Sequence, residues 1–222
     1  MSTIERMLPS VAHDPACQNA AVGSLRADAR RNRDQIIATA RSMFASAGLD
    51  VPMEEIARGA GVGVGTLYRR FTDRDALIGA VLEDNLTRLL TEIRAAAAEE
   101  PTAWQALVRL LTAAVRLRLS VHLAVHFRYT LTDDPNVTAM RSQLLDALDD
   151  LVSAAQRDGD LRPDVGTGDV AQLSVLLSRA PELSEITAGR CTAIMIDGLR
   201  ATAAVAVLPG EPVRPGTGSG PV

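Results

Sequence analysis

Cationic and hydrogen-bonding side chains crowd the segment from Val64 to Arg74, and they are the strongest candidates for chemistry in this sequence. A helix over residues 64–71 that buries Leu67 would turn most of its other side chains outward. The outward set is Val64, Gly65, Thr66, Tyr68, Arg69 and Arg70. A helix in the major groove of DNA needs donors for phosphates and guanine edges, and compact apolar groups for thymine methyls. The segment therefore predicts binding to double-stranded DNA.

The chemistry of each side chain in this set predicts its partner on DNA. The hydroxyl groups of Thr66 and Tyr68 suit phosphate oxygens. Base edges suit Arg69, Arg70 and Val64. Two plainer interpretations stay open, because Thr66 and Tyr68 could serve packing and capping, and the two arginines could form a solvated face.

Three further arginines could grip the DNA backbone. Arg74 stands near the start of the following helix, where unpaired N–H groups favour a phosphate. Arg30 and Arg33 could hold the backbone from the first helix. Residues 26–74 contain nine arginines and six acidic residues, whereas the rest of the chain contains 14 arginines and 21 acidic residues. The N-terminal part is therefore the part expected to meet a polyanion.

A second group of side chains suits a small molecule. His122, His126 and Tyr129 share one face of a helix because four and three residues separate them. Together with Trp104 and Phe127, they are the candidate lining of an effector pocket. Two histidines four residues apart could also bind a metal, but neither an H-E-x-x-H pattern nor a third ligand accompanies them. A surface or core role stays open, and no metal site is expected.

Enzymatic chemistry finds no support in the motifs. The sequence has no G-x-S-x-G, no P-loop and no coherent carboxylate motif. Cys17 and Cys191 lie outside any C-x-x-C pattern, so neither a zinc site nor a disulfide framework is indicated. The spacing of Gly61, Gly63 and Gly65 imitates a dinucleotide loop, but it lies between helices and follows no strand. We expect neither an enzyme nor a bound cofactor.

Composition and patterning place these groups in a folded intracellular protein. The chain has 222 residues and 47% hydrophobic content, which suffices for a sizeable core. The N-terminal stretch lacks the apolar core of an export signal, and arginines interrupt the apolar stretch over residues 105–127, the candidate for a membrane span. These features predict a cytoplasmic protein without a membrane span.

Helical spacing recurs along the chain without a good alternating strand pattern, which predicts an all-α fold. A first helix is expected from Ala27 to Ala47, with Gly48 as its cap. A short second helix begins at about Pro52 and stops at Gly61, where glycine can adopt a positive φ. The small core between the second and third helices is expected to contain Ile56, Ala60, Val62 and Leu67.

A long fourth helix is expected after Thr72-Asp73-Arg74-Asp75, which resembles a capping box. Further helices are predicted at about 102–118, 120–131, 135–158, 168–179 and 185–207, giving about nine helices. The chain then divides into a flexible extension over 1–26, a DNA-binding domain over 27–73 with its motif at about 52–71, a larger helical domain over 74–208, and a flexible tail rich in proline and glycine over 209–222.

One continuous stretch resembles a known family. Residues 30–78 contain R-x-x-I-I-x-x-A-x-x-x-F-x-x-x-G, E-I-A-x-x-A-G-V, G-T-L-Y-x-x-F and D-x-L-I in that order. This series resembles the signature of the TetR family of transcriptional regulators. The sequence departs from the family pattern at Gly63, where serine is usual, and at Val64 and Arg74, where lysine is frequent. Helix capping and phosphate contact are the features that these departures alter.

The resemblance implies an N-terminal three-helix helix-turn-helix domain followed by a helical ligand-binding and dimerisation domain. It also implies that the last two long helices pair across a homodimer as a four-helix bundle. Apolar residues suited to this interface are Val170, Leu173, Leu176, Leu177, Ile194, Met195, Leu199, Thr202 and Val205. The alternative is that these residues complete the core of one subunit.

The implied function is a regulator that represses transcription. A two-fold dimer would bind a palindromic operator, because it sets two recognition helices about one DNA turn or more apart. A small, partly apolar effector would release the operator by changing that separation. The alternative is a helical binding or scaffold protein of the same fold that binds no operator.

Overall fold

A computed structural model of the chain describes residues 15–116, 134–178, 185–203 and 206–213. Within these ranges the chain forms eight α-helices, one short 3₁₀ helix over Ala201–Ala203 and no β-strand. The helices are α1 (Pro15–Ala47), α2 (Met53–Gly59), α3 (Val64–Arg70), α4 (Arg74–Glu99), α5 (Ala103–Arg116), α6 (Pro135–Arg157), α7 (Thr167–Ser178) and α8 (Glu185–Leu199). The all-α prediction is confirmed, and the helix expected over 120–131 lies outside the described residues. None of the described helices is long and apolar enough to cross a membrane.

The first helix begins earlier than expected. α1 starts at Pro15, whereas the apolar spacing predicted a start at Ala27. Residues 15–26 contain three alanines, which favour a helix without forming the periodic apolar stripe on which that prediction relied. The end of α1 agrees with the prediction, because Gly48 adopts a φ of 82° and its N–H donates to the carbonyl of Phe44 at 3.1 Å.

Two clusters of buried side chains lie along the chain. The first joins α1, α2, α3 and the first turns of α4, and it includes Ile36, Phe44, Ile56, Leu67 and Leu77. The second joins the end of α4 to the helices from α5 to α8, and it includes Trp104, Leu107, Leu111, Leu151 and Leu161. Because α4 contributes Val81 to the first cluster and Ile93 to the second, this helix connects the two units.

The last long helix ends at Leu199, whereas helical spacing predicted an end at 207. The carbonyl of Leu199 accepts a hydrogen bond from the N–H of Arg162 at 3.1 Å. Two residues later, the N–H of Ala201 donates to the carbonyl of Asp160 at 2.9 Å. These long-range bonds divert the backbone from the helical path, and a local sequence pattern cannot reveal them.

The segment after α8 also differs from the expectation. The sequence predicted a flexible tail from residue 209. In the structure, the carbonyl of Val213 accepts a hydrogen bond from the N–H of Gly168 at 2.9 Å. The first part of this segment therefore lies against the start of α7.

Candidate nucleic-acid interface

A tight turn joins α2 to α3. Gly61 adopts a φ of 67°, a left-handed conformation that glycine tolerates without strain. Its N–H donates to the carbonyl of Arg58 at 3.1 Å, and the N–H of Val62 donates to the carbonyl of Ala57 at 3.0 Å. A methyl group at Gly61 would meet no other atom within 4 Å, so backbone conformation rather than space selects glycine here. The predicted turn is confirmed at the predicted residue.

Buried side chains hold α3 against α2. Leu67 and Ile56 are fully buried, and the buried Ala57 is small enough for the two helices to pack closely. Ala60 is buried as well, whereas Val62 is only partly buried at the edge of the same cluster. Because Leu67 is the buried residue of α3, the orientation of this helix depends on packing around one leucine.

The other side of α3 faces solvent, as predicted. The exposed residues are Val64 (40% exposed), Gly65, Tyr68 (42% exposed), Arg69 and Arg70. Thr66 is half-buried, and its hydroxyl oxygen accepts a hydrogen bond from the guanidinium of Arg69 at 3.0 Å. The Thr66 hydroxyl can still donate its own hydrogen to another acceptor. The pair therefore presents a hydroxyl donor and a positioned cation on the exposed face of α3.

An arginine of α1 reaches the end of α3. The guanidinium carbon of Arg33 lies 5.8 Å from the centre of the Phe71 ring, within the range of a cation–π contact. Phe71 caps the C-terminus of α3 and is buried. Arg33 itself is exposed, as is Arg30, which lies three residues earlier on α1. Fixed packing at the end of α3 thus places an exposed cation of α1 beside it.

The start of α4 differs from the prediction. Asp73 rather than Thr72 caps the helix, since the Asp73 carboxylate accepts from the N–H of Ala76 at 2.8 Å. This cap uses one N–H group and adds a negative charge where a phosphate was expected. Arg74 is half-buried and donates to the carbonyl of Leu49. Because part of its guanidinium is engaged, Arg74 suits a phosphate less well than the sequence indicated.

The predicted effector residues fall mostly outside the described ranges. Those outside are His122, His126, Phe127 and Tyr129. Trp104 is buried in the second cluster, and the guanidinium carbon of Arg200 lies 4.9 Å from the centre of its ring. Trp104 also borders an open groove of about 580 Å³. The structure therefore gives Trp104 a packing role at the edge of a groove.

Arg109, one of the arginines that line this groove, is already paired within the chain. Arg109 donates to carboxylates of Glu92 and Glu99, each at 2.8 Å, and to Glu100 at 3.0 Å. The hydrogen bond to Glu99, followed by those to Glu92 and Glu100, raises the pKa of Arg109 above its usual range. Its charge is therefore balanced within the chain, and it offers little attraction to an acidic ligand.

A buried amide on α4 escaped the sequence reasoning. Asn85 is only 4% exposed, and its Oδ1 has no hydrogen-bond partner within the described part of the chain. It lies between Val81, which belongs to the first cluster, and Leu89, which packs against the second. A buried carbonyl without a partner costs about 1–3 kcal/mol. The available signal was a single asparagine within the apolar stripe of α4.

The apolar faces predicted for a dimer are divided in the structure. Val170 and Leu199 are buried in the second cluster of their own chain, so their prediction as interface residues was wrong. Leu176 is 60% exposed and Ile194 is 62% exposed. Ile186, which the sequence reasoning did not name, is 85% exposed. A smaller apolar surface therefore remains open on α7 and α8.

An exposed helix held by a tight turn on a small buried core is the helix-turn-helix arrangement, which defines a DNA-binding fold. The sequence matches the family model described as bacterial regulatory proteins of the tetR family over residues 36–81. It also matches the C-terminal domain model of SbtR-like transcriptional regulators over residues 102–201.

Solved structures and curated proteins agree with these matches. A TetR transcription regulatory protein from Mycobacterium vanbaalenii is 36% identical, with a TM-score of 0.59, and the match covers 79% of this chain and 99% of that chain. A TetR transcriptional regulator from Streptomyces coelicolor is 32% identical, with a TM-score of 0.56, over 76% of this chain and 98% of that chain.

A curated HTH-type transcriptional regulator of Staphylococcus aureus (strain USA300) is 35% identical over 71 residues, or 32% of this chain. The chain spans 38% of the length of that curated relative. The M. vanbaalenii structure, by contrast, is matched over nearly its whole length. This chain belongs to the TetR family of transcriptional regulators.

Proposed function

We propose that this protein is a ligand-responsive repressor. A homodimer binds a palindromic operator in double-stranded DNA and leaves it when a small, partly apolar effector binds. The observation that carries the proposal is the exposed face of α3, which the Gly61 turn and the buried Leu67 hold in a fixed orientation. Preorganised donors on a helix are what base reading in the major groove requires.

In this proposal, α3 enters the major groove. Its N-terminal residues Val64 and Gly65 lie closest to the bases, because recognition helices contact base edges from that end. Arg69 and Arg70 donate to base edges, and the hydrogen bond to Thr66 limits the freedom of the Arg69 side chain. Contacts to the DNA backbone come from Thr66, Tyr68, Arg30, Arg33 and the unengaged donors of Arg74.

A second copy of the chain covers the apolar surface on α7 and α8. Leu176, Ile186 and Ile194 are large apolar side chains with most of their surface open to solvent. Covering such side chains favours association, and a two-fold pair uses the same surface of both subunits. Two copies of α3 related by that axis would match a palindromic operator.

The effector acts through α4. This helix belongs to both buried clusters, so a ligand that favours a shifted position of its second half also moves the DNA-binding unit. The buried Oδ1 of Asn85 gives the otherwise apolar buried side of this helix a polar group that lacks a partner within the described residues. Such a combination suits a partly apolar effector that carries a hydrogen-bond donor.

Fluorescence anisotropy with labelled DNA from the promoter of its own gene, measured over a range of salt concentrations, tests the DNA assignment. Replacing Arg69 and Arg70 with alanine removes two sets of base-edge donors, each worth about 1–3 kcal/mol, so we expect affinity to fall at least about thirtyfold. A matched control replaces the exposed Arg141 and Arg157 of α6 with alanine, which changes the net charge equally.

Three results would contradict the proposal in different ways. Equal affinity of the Arg69→Ala, Arg70→Ala protein and its parent would refute the assignment of α3 as the recognition helix. An equal loss in the Arg141→Ala, Arg157→Ala control would mean that net charge alone attracts the DNA. In a separate selection of genomic DNA fragments, retention of no fragment by the parent protein would favour the alternative, a scaffold protein that binds no operator.

A further inference from the structure

The chain folds back on itself after α8. Residues 206–213, here termed the C-terminal strap, run across the start of α7. The N–H of Leu208 donates to the carboxylate of Asp164 at 2.9 Å, and the N–H of Val213 donates to the carboxylate of Asp169 at 3.2 Å. In return, the N–H of Gly168 donates to the carbonyl of Val213 at 2.9 Å. Backbone groups near both ends of the strap are therefore bonded to residues 164–169, at and just before the start of α7.

The close contact between the strap and the start of α7 requires glycine at two positions. A Cβ atom at Gly168 would lie 2.3 Å from the carbonyl oxygen of Val213, and one at Gly166 would lie 2.8 Å from the same oxygen. The obstructing atom belongs to the backbone, so it cannot turn away as a flexible side chain would. Gly168 is the second residue of α7, where glycine weakens a helix. Close approach of the strap explains both glycines, and Gly166–Gly168 is here termed the glycine seat.

The Asp164 carboxylate that holds the strap also pairs with a buried arginine of the same chain. The guanidinium of the buried Arg162 donates to Asp164 at 2.6 and 2.9 Å. Its other contacts are the carbonyl of Gly198 at 3.4 Å, near the end of α8, and the carbonyl of Ala206 at 2.9 Å, in the strap itself. The bonds from Arg162 and from the Leu208 N–H lower the pKa of Asp164 to about 2. One ionic cluster thus joins the loop before α7, the end of α8 and the strap.

We propose that the glycine seat is a docking site for the C-terminal strap, and that the docked strap strengthens dimerisation by holding α7 and α8 in a fixed relation. The second half of this statement rests on the dimer proposed above. The exposed apolar residues Leu176 and Ile194 lie on these two helices. A strap that starts after α8 and ends on the first turn of α7 restrains both. Restraint before association lowers the entropy that association must remove.

The test uses the full-length chain with Gly168→Ala, which places a methyl group against the strap. Gly65→Ala is the matched control for helix propensity, because Gly65 is also the second residue of a helix and a methyl group there meets no atom within 4 Å. Hydrogen exchange reports strap docking at the Leu208 amide, and sedimentation equilibrium reports the dimer dissociation constant.

Gly168→Ala is expected to speed exchange of the Leu208 amide at least about tenfold. The dimer dissociation constant is expected to rise about tenfold. Gly65→Ala is expected to change neither quantity. A second variant, Val213→Pro, removes the N–H that donates to Asp169 and changes no residue of α7. It is expected to act in the same direction, so the test does not depend on how α7 tolerates alanine.

Exchange at Leu208 that stays slow in both Gly168→Ala and Val213→Pro would overturn the docking site. Faster exchange with an unchanged dissociation constant would overturn the effect on dimerisation. A parent chain that remains monomeric would refute the proposed dimer, and with it the proposed effect of the strap on dimerisation. Protection of the Leu208 amide in the same monomer would still support the docking site.

Discussion

Replacing Gly65 with alanine should raise stability and lower DNA affinity at the same time. A methyl group at this position meets no other atom within 4 Å, and Gly65 lies in the first turn of α3. Alanine in place of a helical glycine stabilises a protein by about 0.5–1 kcal/mol. For a chain of this size, such a gain corresponds to a rise in Tm of about 1–4 °C.

The same methyl group would stand on the surface proposed to face the major groove of DNA. In that placement, glycine would let the α3 backbone approach DNA closely, and alanine would hold the two apart. We therefore expect operator affinity to fall about fivefold to tenfold, or about 1–1.4 kcal/mol. Thermal unfolding followed by circular dichroism measures the first effect, and fluorescence anisotropy with operator DNA measures the second.

Gly159→Ala is the contrasting control for this pair of measurements. Space is equally open at Gly159, but its φ is 79°, so alanine there adopts a strained conformation. It should lower stability by about 1–2 kcal/mol and leave the DNA affinity of the folded protein unchanged. A Gly65→Ala protein that binds the operator as tightly as its parent would refute the placement of α3 in the groove. A lower stability of the Gly65→Ala protein would contradict the open space around Gly65.

Three further predictions concern stability. Leu67→Ala should lower the free energy of unfolding by about 2–5 kcal/mol in urea titrations, because Leu67 is fully buried. Val64→Ala, at an exposed position of the same helix, should change it by less than about 0.5 kcal/mol. Equal effects of the two substitutions would contradict the packing of α3 around Leu67. Asn85→Leu should raise the free energy of unfolding by about 1 kcal/mol, because it removes a buried oxygen without a partner among the described residues. A lower free energy of unfolding in the same urea titration would contradict this prediction. Asp164 has its pKa lowered from 3.8 to about 2, so its contribution is full above about pH 4 and is lost as the pH falls towards 2. Asp164→Asn should lack this part of the decline of Tm with pH, and an identical decline in variant and parent would rule out the ion pair as its source.

Local patterns in the sequence were sufficient for the helix-turn-helix. Gly61 needs a positive φ at a fixed place between two apolar stretches, and Leu67 is the residue whose burial turns the rest of α3 outward. Both features depend on neighbours within about ten residues. They could therefore be predicted from the sequence, as could the end of α1 at Gly48 and the end of α6 at about residue 158.

Features set by contacts between distant residues could not be predicted in this way. The early end of α8 depends on hydrogen bonds to residues 160–162, and the strap depends on the glycine seat more than forty residues earlier in the chain. The engagement of Arg74 by the Leu49 carbonyl has the same origin. Asn85 was missed for another reason, because an apolar stripe indicates which face is buried but not which polar side chain is buried with it.

Selection of genomic DNA fragments by the protein, followed by footprinting of the retained fragments, is the sharpest test of α3 as the recognition helix of a two-fold dimer. We expect a short list of fragments that share a palindrome, with protection of two major-groove segments about one DNA turn or more apart. Retention of no specific fragment, or protection without two-fold symmetry, would contradict that assignment.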